Sequence, residues 1–251
     1  MNSMLPQAPK APVGSGSVRF AGPRPGFSVR LTEIAALRED GSTIFGQRRA
    51  PTLPEFDHAF AAFAQGTVFK AENGFRAVED IQPGDWLMTS TGRLEQVTWI
   101  GSAVFSQADQ GGPLPLTRIM TDSFGINRPD SFVSFGPAAR LLQTPPDMRG
   151  STVTARLVTP ASRFLDGVSV VEAFPPTPVR MFQIAMRRHV ALVANGLLVE
   201  SYHPGPNPVA HMTQTLRAAF QGLFPHLEDL SGFGPMQFAR APEEQTAANE
   251  N

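Results

Sequence analysis

The 251-residue sequence contains no cysteine. That excludes a disulfide framework, a thiolate zinc site, an iron–sulfur cluster and a cysteine nucleophile. Charge is sparse as well: 17% of residues are charged, with a formal net charge of −1, where an average soluble domain carries about 25%. A near-neutral chain lacks the basic face that a general nucleic-acid binder needs to neutralise phosphates, so no nucleic-acid partner is expected. The longest apolar stretch, Val190–Val199, is interrupted by Asn195 and Gly196 and is far short of the roughly 20 residues that span a bilayer. Met1–Gly16 is rich in Pro and Gly and has no apolar segment of the secretory type, so no export leader is expected, and the expected location is cytoplasmic. Lysine occurs only at Lys10 and Lys70, a skew towards arginine that fits a GC-rich bacterial coding sequence. Tyrosine occurs once and tryptophan twice against 19 phenylalanines, so most aromatic burial here brings no polar handle.

What is present divides the chain into five parts. Residues 1–28 hold clustered Pro and Gly and read as a flexible arm. Residues 29–54 read as a short ordered extension. Ile34 and Leu37 have helical spacing, but Asp40-Gly41 between two apolar runs is a hairpin signal, and the hairpin is preferred. Residues 55–205 read as the main domain, with a short helical turn over Glu55–Phe63 and then many short strands. Turns at Glu72-Asn73-Gly74, Pro83-Gly84-Asp85, Thr91-Gly92 and Asn195-Gly196 separate strand candidates from Thr67–Phe69 to Leu197–Val199, among them Arg156–Val158, which predicts a mainly β domain built from hairpins. Residues 206–226 read as one amphipathic helix of about four turns. Asn207 would cap it, Pro208 would stand at its first position, and Val209 to Leu223 would line its apolar face. Residues 227–251 read as a polar tail.

Ordinary catalytic signatures are missing: there is no Gly-x-Ser-x-Gly elbow, no phosphate-binding loop and no His-Glu-x-x-His. Of the five histidines, His203 and His211 are eight apart across a Pro-rich turn. The preferred reading puts His203 in a surface turn and His211 on the solvated face of the helix, so no metal site and no cofactor are expected. Glu79-Asp80 and Glu228-Asp229 read as solvated pairs rather than acid–base couples. No residue speaks for a small-molecule site in the β domain.

The ordered β segments say more. Phe63-Ala64-Gln65-Gly66-Thr67-Val68, Val78-Glu79-Asp80-Ile81-Gln82-Pro83-Gly84-Asp85-Trp86-Leu87 and Val97-Thr98-Trp99-Ile100-Gly101 resemble the opening of a Hedgehog/intein (Hint) domain of the bacterial stand-alone type. Met181-Phe182-Gln183-Ile184, His189 and Val193-Ala194-Asn195-Gly196-Leu197-Leu198-Val199 resemble its closing block, so the likeness covers about Ala62–Gly205. The resemblance implies a horseshoe-like all-β fold that brings the two ends of the module together. It also implies self-processing, in which a Cys or Ser attacks the carbonyl before it, assisted by a Thr and a His three residues on. Here those positions fall on Ala62, Gly136 and Ala139, and the His-Asn that closes an intein is replaced by Glu200-Ser201. Thr67 and His189 are the polar members of the old site that remain.

Two readings follow. In the preferred one the chain is a Hint fold without self-splicing or self-cleavage, retained as a binding or structural module, whose C-terminal helix caps the sheet or docks a protein partner. In the alternative, Ser90, Ser102 or Thr67 serves as a non-standard nucleophile with His189 as base. His189 itself is otherwise expected to satisfy a backbone carbonyl.

Overall fold

A computed structural model describes residues 28–106, 114–148 and 157–242. The expected flexible arm (Ser28 excepted), Arg156, and the end of the polar tail from residue 243 lie outside the described residues. Among the described residues fifteen strands are joined into one antiparallel sheet, in the order β11 (Val158–Pro160), β10 (Arg140–Leu142), β15 (Leu197–Glu200), β14 (Ala191–Ala194), β4 (Val68–Ala71), β6 (Trp86–Met88), β7 (Leu94–Phe105), β13 (Val179–Met186), β3 (Phe63–Ala64), β9 (Val133–Phe135), β8 (Leu116–Ile119) and β12 (Val170–Ala173), with β1 (Val29–Leu37), β2 (Thr43–Pro51) and β5 (Gly74–Ala77) attached at its sides. The mainly β architecture expected from the turn chemistry is what forms.

The sheet is organised on β7 (Leu94–Phe105). Its first residues pair with β6 (Trp86–Met88), and from Val97 onward it pairs with β13 (Val179–Met186). Over Trp99–Ala103 its other edge takes β1 (Val29–Leu37). One long strand therefore links two parts of the sheet. Its middle is apolar and small by necessity: a Cβ on Gly101 would meet the Trp99 indole and lie 2.7 Å from the Phe60 ring. Trp99 and Ile100 are core residues, as expected.

The Asp40-Gly41 hairpin is present, joining β1 to β2 (Thr43–Pro51), with Gly41 at φ +82°. It is not a separate extension, because β1 is hydrogen-bonded into the sheet through β7. Asp85 holds its turn as expected, accepting from the Gln82 N–H at 2.8 Å and from Arg76 at 2.6 Å. A short helix, α1 (Pro54–His58), buries Phe56 against the C-terminal region. It leads into β3 (Phe63–Ala64), where Phe63 is paired on one side with Phe182 and on the other with Phe135 of β9 (Val133–Phe135).

Three boundaries differ from the sequence reading. The helix expected over 206–226 is two turns rather than four: α2 spans Gln214–Gln221 and is capped by the Thr213 hydroxyl, which accepts from Leu216 N–H. Asn207 sits at φ +52°, a left-handed conformation that cannot serve as an extended N-cap, so Asn207-Pro208 makes a turn instead. Residues 227–242, the start of the expected polar tail, pack against the domain. Phe233 is buried, and at the start of strand β11 (Val158–Pro160) the Val158 N–H donates to the Ala239 carbonyl while its own carbonyl accepts from the Ala241 N–H, both at 2.9 Å. His203 is not in a surface turn. It is buried, with Nε2 2.9 Å from the Gly234 carbonyl and Nδ1 accepting from Gly205 N–H at 3.0 Å, while His211 is exposed as expected.

The C-terminal segment closes the core. Phe220 packs edge-on to Phe56, Phe224 contacts Trp99, and the Trp99 indole N–H donates to the Leu223 carbonyl at 2.8 Å. The apolar face of α2 is thus covered by the β domain. No helix among the described residues is long and apolar enough to cross a membrane.

Candidate functional site

The fold brings Ala62, Gly136 and Ala139 to one place. Ala62 precedes β3, and its N–H donates to the Phe182 carbonyl of β13 at 3.2 Å. Gly136 follows β9, and its N–H donates to the Ala62 carbonyl at 2.8 Å. Two residues on, the Ala138 N–H donates to the Ala61 carbonyl at 3.0 Å, and the Ala139 N–H turns back onto Gly136 O at 3.1 Å. The Ala61–Ala62 peptide is therefore hydrogen-bonded at both its N–H and its C=O. Ala59, Phe60, Ala61 and Ala62 are all buried, so this backbone is shut away from solvent.

Small side chains make this close approach geometrically feasible. A Cβ built on Gly136 would fall well inside van der Waals distance of the Ala61 carbonyl oxygen and 2.6 Å from Met181 Cε. A threonine at 136 would need the Ala61 backbone to withdraw. Ala139 is buried in the main core cluster, so an imidazole there would need room that a close-packed interior does not leave.

The remaining polar residues are already engaged with other partners. The buried Thr67 hydroxyl donates to the Ala64 carbonyl at 2.7 Å. His189 is fully buried, but it does not satisfy a backbone carbonyl as expected. Its Nδ1 accepts from the Gln237 N–H at 3.0 Å, and its Nε2 lies 2.9 Å from Glu200 Oε1. An acceptor Nδ1 puts the proton on Nε2, which then donates to the carboxylate. Both ring nitrogens are committed, and neither is left to act as a base towards a hydroxyl. Ser102 faces Glu33 and Arg180, at 3.5 and 3.2 Å. Ser90 lines a different groove, of about 630 Å³, with Leu141, Leu142 and Leu197. The hydroxyls considered as nucleophiles are not brought onto one target.

Sequence reasoning missed Glu200. In β15 (Leu197–Glu200) it pairs across from Ala191 of β14 (Ala191–Ala194) and is buried. Burial pushes its carboxyl up, but the hydrogen bond from His189 and the guanidinium groups of Arg240 and Arg140 outweigh that and hold it below the usual carboxylate range. Arg240 Nε lies 3.2 Å from Oε1 and Arg140 Nη1 3.6 Å from Oε2. The available signal was a single acid closing the apolar run Leu197-Leu198-Val199, with a histidine eleven residues earlier. Among the described residues no group of three or more His, Cys, Asp or Glu is placed to hold a metal ion.

The Asn195-Gly196 turn ties this region to the rest. Asn195 Oδ1 accepts from Val68 N–H at 2.9 Å and its Nδ2 donates to Ser131 Oγ at 3.0 Å. Its φ is +45° and that of Gly196 +78°, as a hairpin of this type requires.

A family model described as the Hint domain matches residues 61–206. Among solved structures, the chain is similar to the solution structure of a bacterial intein-like domain from Clostridium thermocellum, at 11% identity and a TM-score of 0.40, over 57% of this chain and 99% of that one. It is also similar to the crystal structure of the gp41-1 intein, at 13% identity and a TM-score of 0.36, over 57% of this chain and 99% of that one. No curated protein sequence matches the chain.

Proposed function

Since this chain belongs to the Hint domain family, we propose that it keeps the family fold without the self-processing chemistry and serves as a binding or structural module. The observation that carries this reading is the Ala61–Ala62 peptide. It is hydrogen-bonded at both ends, no side chain at 62 can attack it, and the Ala61 carbonyl oxygen occupies the space that a threonine at 136 would need. Autoprocessing needs a nucleophile within reach of the preceding carbonyl and a base within reach of the nucleophile. Neither condition is met by Thr67, which is bonded to Ala64, nor by His189, whose nitrogens are both occupied.

A rung held this way is a structural joint between β3, β9 and β13. In this reading the retained pieces of the family pattern are those that build turns and core, while the lost pieces are those that react. A protein partner would not meet the apolar face of α2, which is packed on Phe56 and on the wall around Trp99. It would meet the molecule elsewhere on its surface, and the near-neutral charge argues against that partner being a nucleic acid.

The test returns only the nucleophile. Ala62→Cys, purified as the full chain and treated with hydroxylamine, is expected to keep its intact mass, because no group assists an acyl shift and the carbonyl is already bonded to Ala138. A fragment ending at residue 61 would show that the site still activates this peptide and that only the thiol had been lost.

A further inference from the structure

Residues 234–242 lie across the fold as a strap that little apolar surface holds. Ala241 alone among them is buried, and most of the others are exposed. A segment with so few buried contacts opens locally at small cost, so its polar contacts decide whether it stays docked. Those contacts converge on a buried imidazole and a buried acid. The Gln237 N–H donates to His189 Nδ1 at 3.0 Å, and Arg240 Nε donates to Glu200 Oε1 at 3.2 Å. The same Oε1 receives His189 Nε2 at 2.9 Å. Arg240 Nη2 also donates to the His203 carbonyl at 2.6 Å, and His203 Nε2 meets the Gly234 carbonyl at 2.9 Å. On its other side the strap covers the outer edge of β11, where Ala239 and Ala241 take both backbone groups of Val158.

A neutral His189 is a condition of this arrangement. Its Nδ1 accepts from Gln237 only while it carries no proton. A proton there sets N–H against N–H and leaves the Gln237 amide without an acceptor. When the strap lifts, Arg240 leaves with it, and Glu200 Oε1 then serves the imidazolium alone. The lifted state therefore takes up a proton more readily than the docked one, and falling pH favours lifting. The other charged groups nearby do not reverse this sign. Arg140 of β10 approaches Glu200 at Oε2, 3.6 Å away, and does not belong to the strap. Burial raises the Glu200 carboxyl, but His189 and the two arginines hold it below the usual range, so it stays ionised as the histidines charge. The His203 ring is centred 5.3 Å from that of His189, and its pKa is lowered, chiefly by burial. Its contribution is present above about pH 6.5 and lost as the pH falls, the same direction. Arg188 pairs with Glu95, while Glu55 and His58 of α1 line the cavity that His203 borders and His189 does not.

We propose that residues 234–242 form an acid-released strap, docked while His189 is neutral and freed when its Nδ1 takes a proton. Release unpairs the Val158 N–H and C=O and so opens a strand edge at β11. The device does not depend on the fate of the Ala61–Ala62 peptide.

The test is residue-resolved amide exchange of the full chain by NMR at about pH 7.5 and about pH 5, on either side of the free-imidazole value near 6.5. The His189 ring nitrogens are followed in the same samples. After allowance for the intrinsic pH dependence of exchange, protection at Gln237, Ala241 and Val158 is expected to fall about tenfold or more at the lower pH, as loss of a hydrogen bond at a charged site does. Amides of β7 and β13 should keep theirs, and His189 Nδ1 should gain its proton over the same interval. Arg240→Gln removes the ion pair and should lower the strap's protection about tenfold already at the higher pH. His189→Asn, whose amide oxygen can accept from Gln237 and does not titrate, should make the strap's protection equal at the two pH values. Should that buried substitution fail to fold, the unaltered chain and Arg240→Gln decide. Unchanged strap protection in either, a protonated Nδ1 with Gln237 still protected, or simultaneous loss of protection in β7 and β13 would overturn the proposal.

Discussion

At Gly136 the backbone runs so close to Ala61 that the Cβ of any other residue would overlap the Ala61 carbonyl oxygen. Gly136→Ala is therefore expected to lower stability by about 2–3 kcal/mol in urea unfolding, as overpacking against a backbone that cannot rotate away does. A loss under about 0.5 kcal/mol would mean that the Ala61 segment yields easily and that the site is less closed than described. At this scale the sequence was readable where a residue sets its own backbone. Asn195-Gly196, Asp40-Gly41 and Pro83-Gly84-Asp85 all form the turns their chemistry dictates. It was unreadable where a residue's role depends on a partner far along the chain. His189 finds Gln237 from 48 positions away, and His203 finds Gly234 from 31. Nothing local to His203 marks it as buried.

Elements show the same division. Strands bounded by turn residues are found within a residue or two: β6, β13 and β15 lie where alternation and punctuation put them. β8 (Leu116–Ile119), β9 and β10 (Arg140–Leu142) are three or four residues long and owe their extended form to neighbours in the sheet, so the local sequence does not announce them. The C-terminal helix is shorter than its apolar spacing predicts: that spacing runs back through Met212 and Val209, but the backbone at Asn207 is left-handed and the helix begins at Gln214. Past that helix, His226 is pressed into the fold with its Nδ1 buried and unbonded, and burial lowers its pKa to about 4. The folded value lies below that of a free imidazole near 6.5, so the unfolded chain takes up the proton first. Stability is then fully present above about pH 6.5 and is lost as the pH falls towards 4. His226→Leu is expected to flatten part of the Tm profile in that window. Some slope should remain, because burial lowers the His203 pKa as well. An unchanged profile in the variant would mean that His226 is not desolvated in the folded state.

For the whole molecule, β7 holds two parts of one sheet together, and the C-terminal segment seals them by placing Phe220, Leu223 and Phe224 against the Trp99 wall. On this frame the Ala61–Ala62 peptide meets Gly136 and Ala138 as hydrogen-bonded backbone and methyl groups. In the proposed reading the turn and core residues are kept because stability depends on them, while Ala62, Gly136 and Ala139 answer to no reaction. The central claim is that the assembled site breaks no peptide bond. The measurement that tests it most directly is the intact mass of the unaltered full chain, taken fresh and after days at 37 °C with thiol or hydroxylamine. A mass that stays at the whole-chain value is the predicted result. A defined fragment cut before Ala62 or after Glu200 would contradict the account and require a nucleophile that the geometry does not place there.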